Sequence, residues 1–163
     1  INNYEDTLKE NKVSTIASDK NFTEGHQFRH KAIAKFRNDI SLYGRGYNPI
    51  EDKEESLLKY MYSLTIENCR QPGYWTEKIV DCFATKTIPI FWGDDAVNDY
   101  FDSNGIIYFN DLEELEVIMK DIKENGEKIY SEKKDAIEKN FLTVEEYRIP
   151  EDWMYLNYPF LFT

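Results

Sequence analysis

Residues 60–93, YMYSLTIENCRQPGYWTEKIVDCFATKTIPIFWG, constrain the fold of this chain more than any other stretch, because they read as strand, loop, helix, strand. Tyr62–Ile66 is short, β-branched and aromatic, as buried strands are. The Pro-Gly pair in the loop that follows forces a turn. Thr76 is a good N-cap, and Glu77 puts a negative charge in the first helical turn. Ile79, Val80, Phe83 and Ala84 then recur at helical spacing, and Ile88–Trp92 is a second apolar run ended by Gly93. The result is a βαβ unit with a long, chemically loaded loop at Glu67–Lys78. In open α/β sheets ligands sit at the carboxyl ends of strands, and anions sit on helix N-termini.

The flanking sequence extends the same pattern. Val13–Ala17, Asp39–Tyr43 and Ile106–Phe109 are three further short strands, and a helix is expected from His26 to Asn38. Glu51–Lys59 and Asp95–Phe101 read as short helices. Leu112, Leu115, Ile118, Met119 and Ile122 mark an amphipathic helix that Gly126 is expected to interrupt, with a charged helix over 127–140. Five strands alternating with helices predict a Rossmann-like, doubly wound parallel α/β sheet. Residues 1–12 are expected to be a linker or frayed start, 13–145 the folded domain, and 146–163 an aromatic tail that packs back on it or, as the alternative, docks a partner domain.

Charge narrows the choice of ligand. The chain of 163 residues carries a formal charge of −11, which argues against duplex nucleic acid. Residues 20–46 nevertheless hold six cations against Glu24 and Asp39. A small basic island in an acidic protein suits a compact anion. Arg29 and Lys78, with the helix N-terminus at Thr76, would contribute about 4–7 kcal/mol to a bound diphosphate before ordering costs. That corresponds to affinities between about millimolar and ten micromolar. Tyr74 and Trp75 are placed to stack on a base or sugar, and Glu67 or Glu77 to accept hydrogen bonds from hydroxyls. The residues alone thus point to a nucleotide-binding α/β domain.

Other motifs carry less. His26 and His30 lie four apart without a carboxylate motif, so no metal is expected. Asp94-Asp95 reads as a surface turn. Cys69 and Cys82 form no disulfide framework, and no apolar run is long enough to cross a membrane. A cytoplasmic protein, in solution or at a membrane surface, is the simplest expectation. A chain beginning at Ile1 suits a piece of a longer protein.

The stretch SLTIENCRQPGYWTEKIVDCFATKTIPIFWG resembles the signature of the family 10 glycosyltransferases, the α-1,3/α-1,4-fucosyltransferases. Glu67-Asn68 stand for the family's EN pair, and Tyr74, Thr76, Glu77 and Lys78 for its Y-x-TEK block. Thr87-Ile88-Pro89-Ile90 stand for the strand that follows, and Ile40–Gly46 for an upstream strand ending in YG. Arg29 falls where the family keeps an arginine on the diphosphate. The likeness covers roughly residues 13–123. It implies one half of a GT-B architecture, the half that binds the donor GDP-fucose through Arg29, Glu67, Asn68, Tyr74, Thr76, Glu77 and Lys78, without a divalent metal. Glu77 would contact ribose or fucose hydroxyls or help the oxocarbenium-like centre. The reaction would be inverting, with the glycan acceptor and the general base supplied by an N-terminal domain that nothing here matches. Cys69 stands where the family usually has serine, and the cysteine pairs of the Golgi enzymes are missing, which favours a bacterial-like relative. Transfer from another GDP-sugar, and a non-catalytic relative that binds a nucleotide or a protein, are the alternatives.

Overall fold

The computed structural model describes residues 8–146 and Phe160. Five strands, β1 (Glu10–Ile16), β2 (Ile40–Tyr43), β3 (Tyr60–Ile66), β4 (Ile88–Trp92) and β5 (Ile107–Tyr108), form one sheet in the order β2-β1-β3-β4-β5. Every pairing is parallel. The helices are α1 (Glu24–Lys35), α2 (Glu77–Ala84), α3 (Leu112–Glu132) and α4 (Lys134–Glu146). The expected doubly wound α/β sheet is therefore what the chain adopts.

Alternation of side chains along each strand feeds two cores. Val13, Leu42, Leu64, Ile90 and Phe109 join Ala32 and Ile33 of α1 and Leu115 and Ile122 of α3. Phe91 joins Ile79 and Phe83 of α2 and Val144 of α4 in the other. The chain leaves β1 toward β2 and returns to β3 on the other side, so the carboxyl ends of β1 and β3 mark the topological switch.

Several elements differ from expectation. β1 begins at Glu10, so the end of the presumed linker belongs to the sheet. Lys9 is anchored just before it, donating to the carbonyls of Leu57, Leu58 and Tyr60 and to Thr87 Oγ1. The turns over 51–59 and 95–101 are short 3-10 segments, Lys53–Ser56 and Asp95–Asp99. Gly126 does not interrupt the helix: α3 runs through it and ends at Glu132. A Cβ there would lie 2.0 Å from Asn11 Oδ1, so the glycine lets the helix approach β1 closely, while its carbonyl accepts from Tyr62 Oη at 2.6 Å. The tail Trp153–Phe162, expected to pack on the domain, falls outside the described residues apart from Phe160.

Candidate functional site

The site is built where β3 ends. Glu67 follows the strand directly and is fully buried. Its carboxylate accepts from Thr76 N at 2.9 Å, from Thr76 Oγ1 at 2.8 Å and from Lys78 Nζ at 2.8 Å. Thr76 is the N-cap of α2, as its residue type predicts, accepting from Lys78 N. Its hydroxyl also accepts from Lys78 Nζ at 2.9 Å. The loop is thus folded back on its own strand end, and the ammonium of Lys78 is fixed at the N-terminus of α2. Both Glu67 oxygens are engaged inside the protein, so the expectation that it receives ligand hydroxyls gives way to a role in holding Thr76 and Lys78.

Arg29 enters from the other side of the sheet. α1 packs so tightly on this strand end that a Cβ on Gly25 would lie 1.8 Å from Glu67 O, and Gly25 N donates to Asn68 O at 3.0 Å. That contact brings Arg29, one turn later and buried, against the end of β3, with Nη1 3.4 Å from Ile66 O. Its Nε has no hydrogen-bond partner among the described residues. Burial lowers the guanidinium pKa, with Tyr47 and Glu67 acting against that shift. His26 stands near it; burial and then the Arg29 charge lower its pKa, and Nδ1 accepts from Phe22 N and Thr23 N. His30 lies between Lys20 O and Tyr47 Oη. Each histidine is therefore engaged in a local cap or turn.

Of the residues singled out in the sequence, Arg29, Glu67, Thr76 and Lys78 converge. Asn68 supplies the backbone contact to α1, and Tyr74 sits half-buried in the turn closed by its own N–H to Gln71 O. Glu77 points away from this cluster, toward Lys53 at 3.8 Å. Trp75 packs 5.4 Å from Tyr100 and edge-on to Phe101 at 6.0 Å, so it belongs to the second core instead of offering a free stacking face. Asp94 is a turn residue, its carboxylate accepting from Gly73 N and Ala96 N. Arg70 joins this end of the sheet without having been a candidate from sequence pattern. It ties strand ends together, donating to Gly93 O and to Asn110 Oδ1 with its guanidinium over the Trp92 ring. A cation four residues past the end of β3 is the signal in the sequence, but its partners come from beyond later strands.

A family model described as glycosyltransferase family 10 (fucosyltransferase) C-term matches residues 7–148. This chain belongs to glycosyltransferase family 10. It is 30% identical over 132 residues to the alpha-(1,3)-fucosyltransferase FucT of Helicobacter pylori, covering 76% of this chain and 26% of that protein. A putative fucosyltransferase-like protein of Arabidopsis thaliana is 27% identical over 97 residues, covering 57% of this chain and 19% of its own. Among solved structures, an alpha1,3-fucosyltransferase with GDP-fucose superposes with a TM-score of 0.61 at 28% identity, covering 83% of this chain and 40% of that one. The same kind of enzyme with GDP gives 0.62. The chain therefore spans about a quarter of the curated relative's length, and the match lies on the family's C-terminal portion. No helix among the described residues is long and apolar enough to cross a membrane.

Proposed function

We propose that this chain is the donor-binding domain of an inverting fucosyltransferase, which takes GDP-fucose and passes the sugar to a glycan hydroxyl. The observation that carries the reading is the pair of cations at the β1/β3 switch. Arg29 is buried with an unpartnered Nε, and Lys78 is fixed at the N-terminus of α2. A diphosphate is the ligand that completes both. As the bond from the sugar's anomeric carbon to the phosphate oxygen breaks, its electron pair goes to the diphosphate, and Arg29, Lys78 and the helix N-terminus stabilise the growing charge. The acceptor oxygen forms the new bond, and its proton passes to a base outside this chain. These cations supply the charge a divalent metal would bring, so binding needs no metal.

Calorimetric titration with GDP, UDP and ADP tests this. Submillimolar binding selective for GDP, unchanged by chelator and weakened at least about tenfold in both Lys78→Ala and Arg29→Ala, is the expected result. A folded wild-type domain that binds no GDP would overturn a self-sufficient donor site and favour a relative that binds a protein partner.

A further inference from the structure

The cap of α1 uses only half of the His26 ring. Thr23 and His26 form a reciprocal capping box: His26 N donates to Thr23 Oγ1, and His26 Nδ1 accepts from Thr23 N and Phe22 N, each at 3.3 Å. A nitrogen that accepts two backbone N–H groups carries no proton, so the ring holds its proton on Nε2. A second proton would have to enter at Nδ1, against both N–H groups, and would break the cap. The ring is therefore held in one tautomer and held neutral. Burial, then the charges of Arg29, Lys20, His30 and Lys78, lower its pKa and act in the same direction. Nε2 has no hydrogen-bond partner among the described residues, although His26 is only 7% exposed.

The position of the ring gives that free N–H a use. His26 precedes Arg29 by three residues, so both leave α1 on one face, and both are buried. The first turn of α1 is clamped to the end of β3 through Gly25 N and Asn68 O, next to the Glu67 carboxylate that holds Lys78. A ligand drawn in by Arg29 and Lys78 is an anion rich in acceptor oxygens. We propose that His26 is a further binding residue of this site, its Nε2–H donating as a neutral group to a phosphate oxygen beside Arg29 and Lys78, an inference that rests on the donor reading above. Its role differs from that of the two cations. They supply charge, whereas a neutral imidazole supplies a directed hydrogen bond and no charge. The ring has no spare proton to give, so the diphosphate leaves as the anion and its release is not tied to a protonation step.

The chain has two histidines, so ¹⁵N-histidine labelling gives two imidazole spin systems, assigned with His30→Gln. Between about pH 6 and 8 the His26 ring should carry one proton, on Nε2. GDP and inorganic diphosphate should move the Nε2 signal while Nδ1 stays unprotonated, and guanosine should leave both in place. These signals are read on wild type and do not depend on a variant folding. His26→Asn keeps an acceptor where Nδ1 stands and removes the Nε2 donor. It should unfold within about 2 °C of wild type and weaken GDP roughly 3- to 10-fold, less than Lys78→Ala. If Lys78→Ala loses GDP while GDP leaves the Nε2 signal of wild type in place, His26 is a cap alone and only this assignment falls. Wild-type affinity in a folded His26→Asn has the same meaning. A ring protonated on both nitrogens in the complex overturns the neutral donor. If wild type binds no GDP, the donor reading falls and takes this one with it.

Discussion

The two ends of the sheet treat a cation drawn in from solvent, half-buried at one end and buried at the other, in opposite ways. At the amino end, Lys9 Nζ lies 2.8–3.1 Å from the carbonyls of Leu57, Leu58 and Tyr60 and from Thr87 Oγ1, four acceptors for three N–H bonds. At the carboxyl end, Arg29 is 5% exposed and reaches one carbonyl at 3.4 Å, while its Nε has no partner among the described residues. A buried charge without partners costs free energy that a folded chain normally avoids. Lys9 belongs to a closed, finished seam. Arg29 stands where local satisfaction is given up, as happens at binding sites.

Two glycines give the largest contrast between these ends. A Cβ on Gly25 would meet the backbone carbonyl of Glu67, which cannot step aside without moving β3. Gly25→Ala should cost about 3 kcal/mol or more in urea unfolding and remove GDP binding with it. At Gly126 the obstacle is the side chain of Asn11, which can turn away, and alanine is a better helix former. Gly126→Ala should therefore cost only about 1 kcal/mol and leave binding intact. Equal losses at both sites would mean that the carboxyl end is not the more tightly specified.

The cations themselves sharpen the comparison at a smaller scale. Lys9→Met leaves carbonyls without their donor and should destabilise by about 2 kcal/mol with no change in GDP affinity. Arg29→Met removes a charge that is poorly paired, so its stability should stay within about 1 kcal/mol of wild type while GDP affinity drops. If Arg29→Met unfolds as readily as Lys9→Met, Arg29 is a structural cation after all.

Much of the frame was legible along the chain because it depends on local pattern. The apolar run Ile88–Trp92 is a strand with the same bounds, and Thr76 caps α2 through its own side chain. The convergence of Arg29, Thr76 and Lys78 followed from placing two helix starts at neighbouring strand ends. What escaped depends on contacts between distant segments. Lys9 sits in a polar run that reads as linker, and its acceptors come from the turn before β3 and from Thr87. Gly126 reads as a breaker until Asn11 is brought against it. Trp75 reads as a stacking face until Tyr100 and Phe101 cover it. Asp81 carries no signal of its own along the chain, and its partner Lys53 is delivered by the 3-10 turn. Glu67 reads as an acceptor for ligand hydroxyls until the loop that folds back onto it buries its carboxylate.

The last effect, small within a single pH unit, is a dependence on pH, and it asks which force governs Lys9. Burial pushes its ammonium down from 10.5 to about 7, while its carbonyl partners favour the charged form. With a folded pKa below the unfolded one, the unfolded chain binds more protons between about pH 7 and 10.5. Stability should therefore rise with pH through that window, by about 1 kcal/mol from pH 7 to 8 and never faster than about 1.4 per unit. Subtracting the Lys9→Met profile from wild type removes the other titrating groups. A difference that climbs above pH 7 means desolvation governs the site, and the ammonium is held at a standing cost. A difference flat up to pH 9 means the carbonyl cage compensates that cost in full, and the amino end is more completely satisfied than burial alone implies. Either way Arg29 stays charged across the same range, since guanidinium groups do not deprotonate there. The contrast between the two ends then widens with pH in the first case and holds constant in the second.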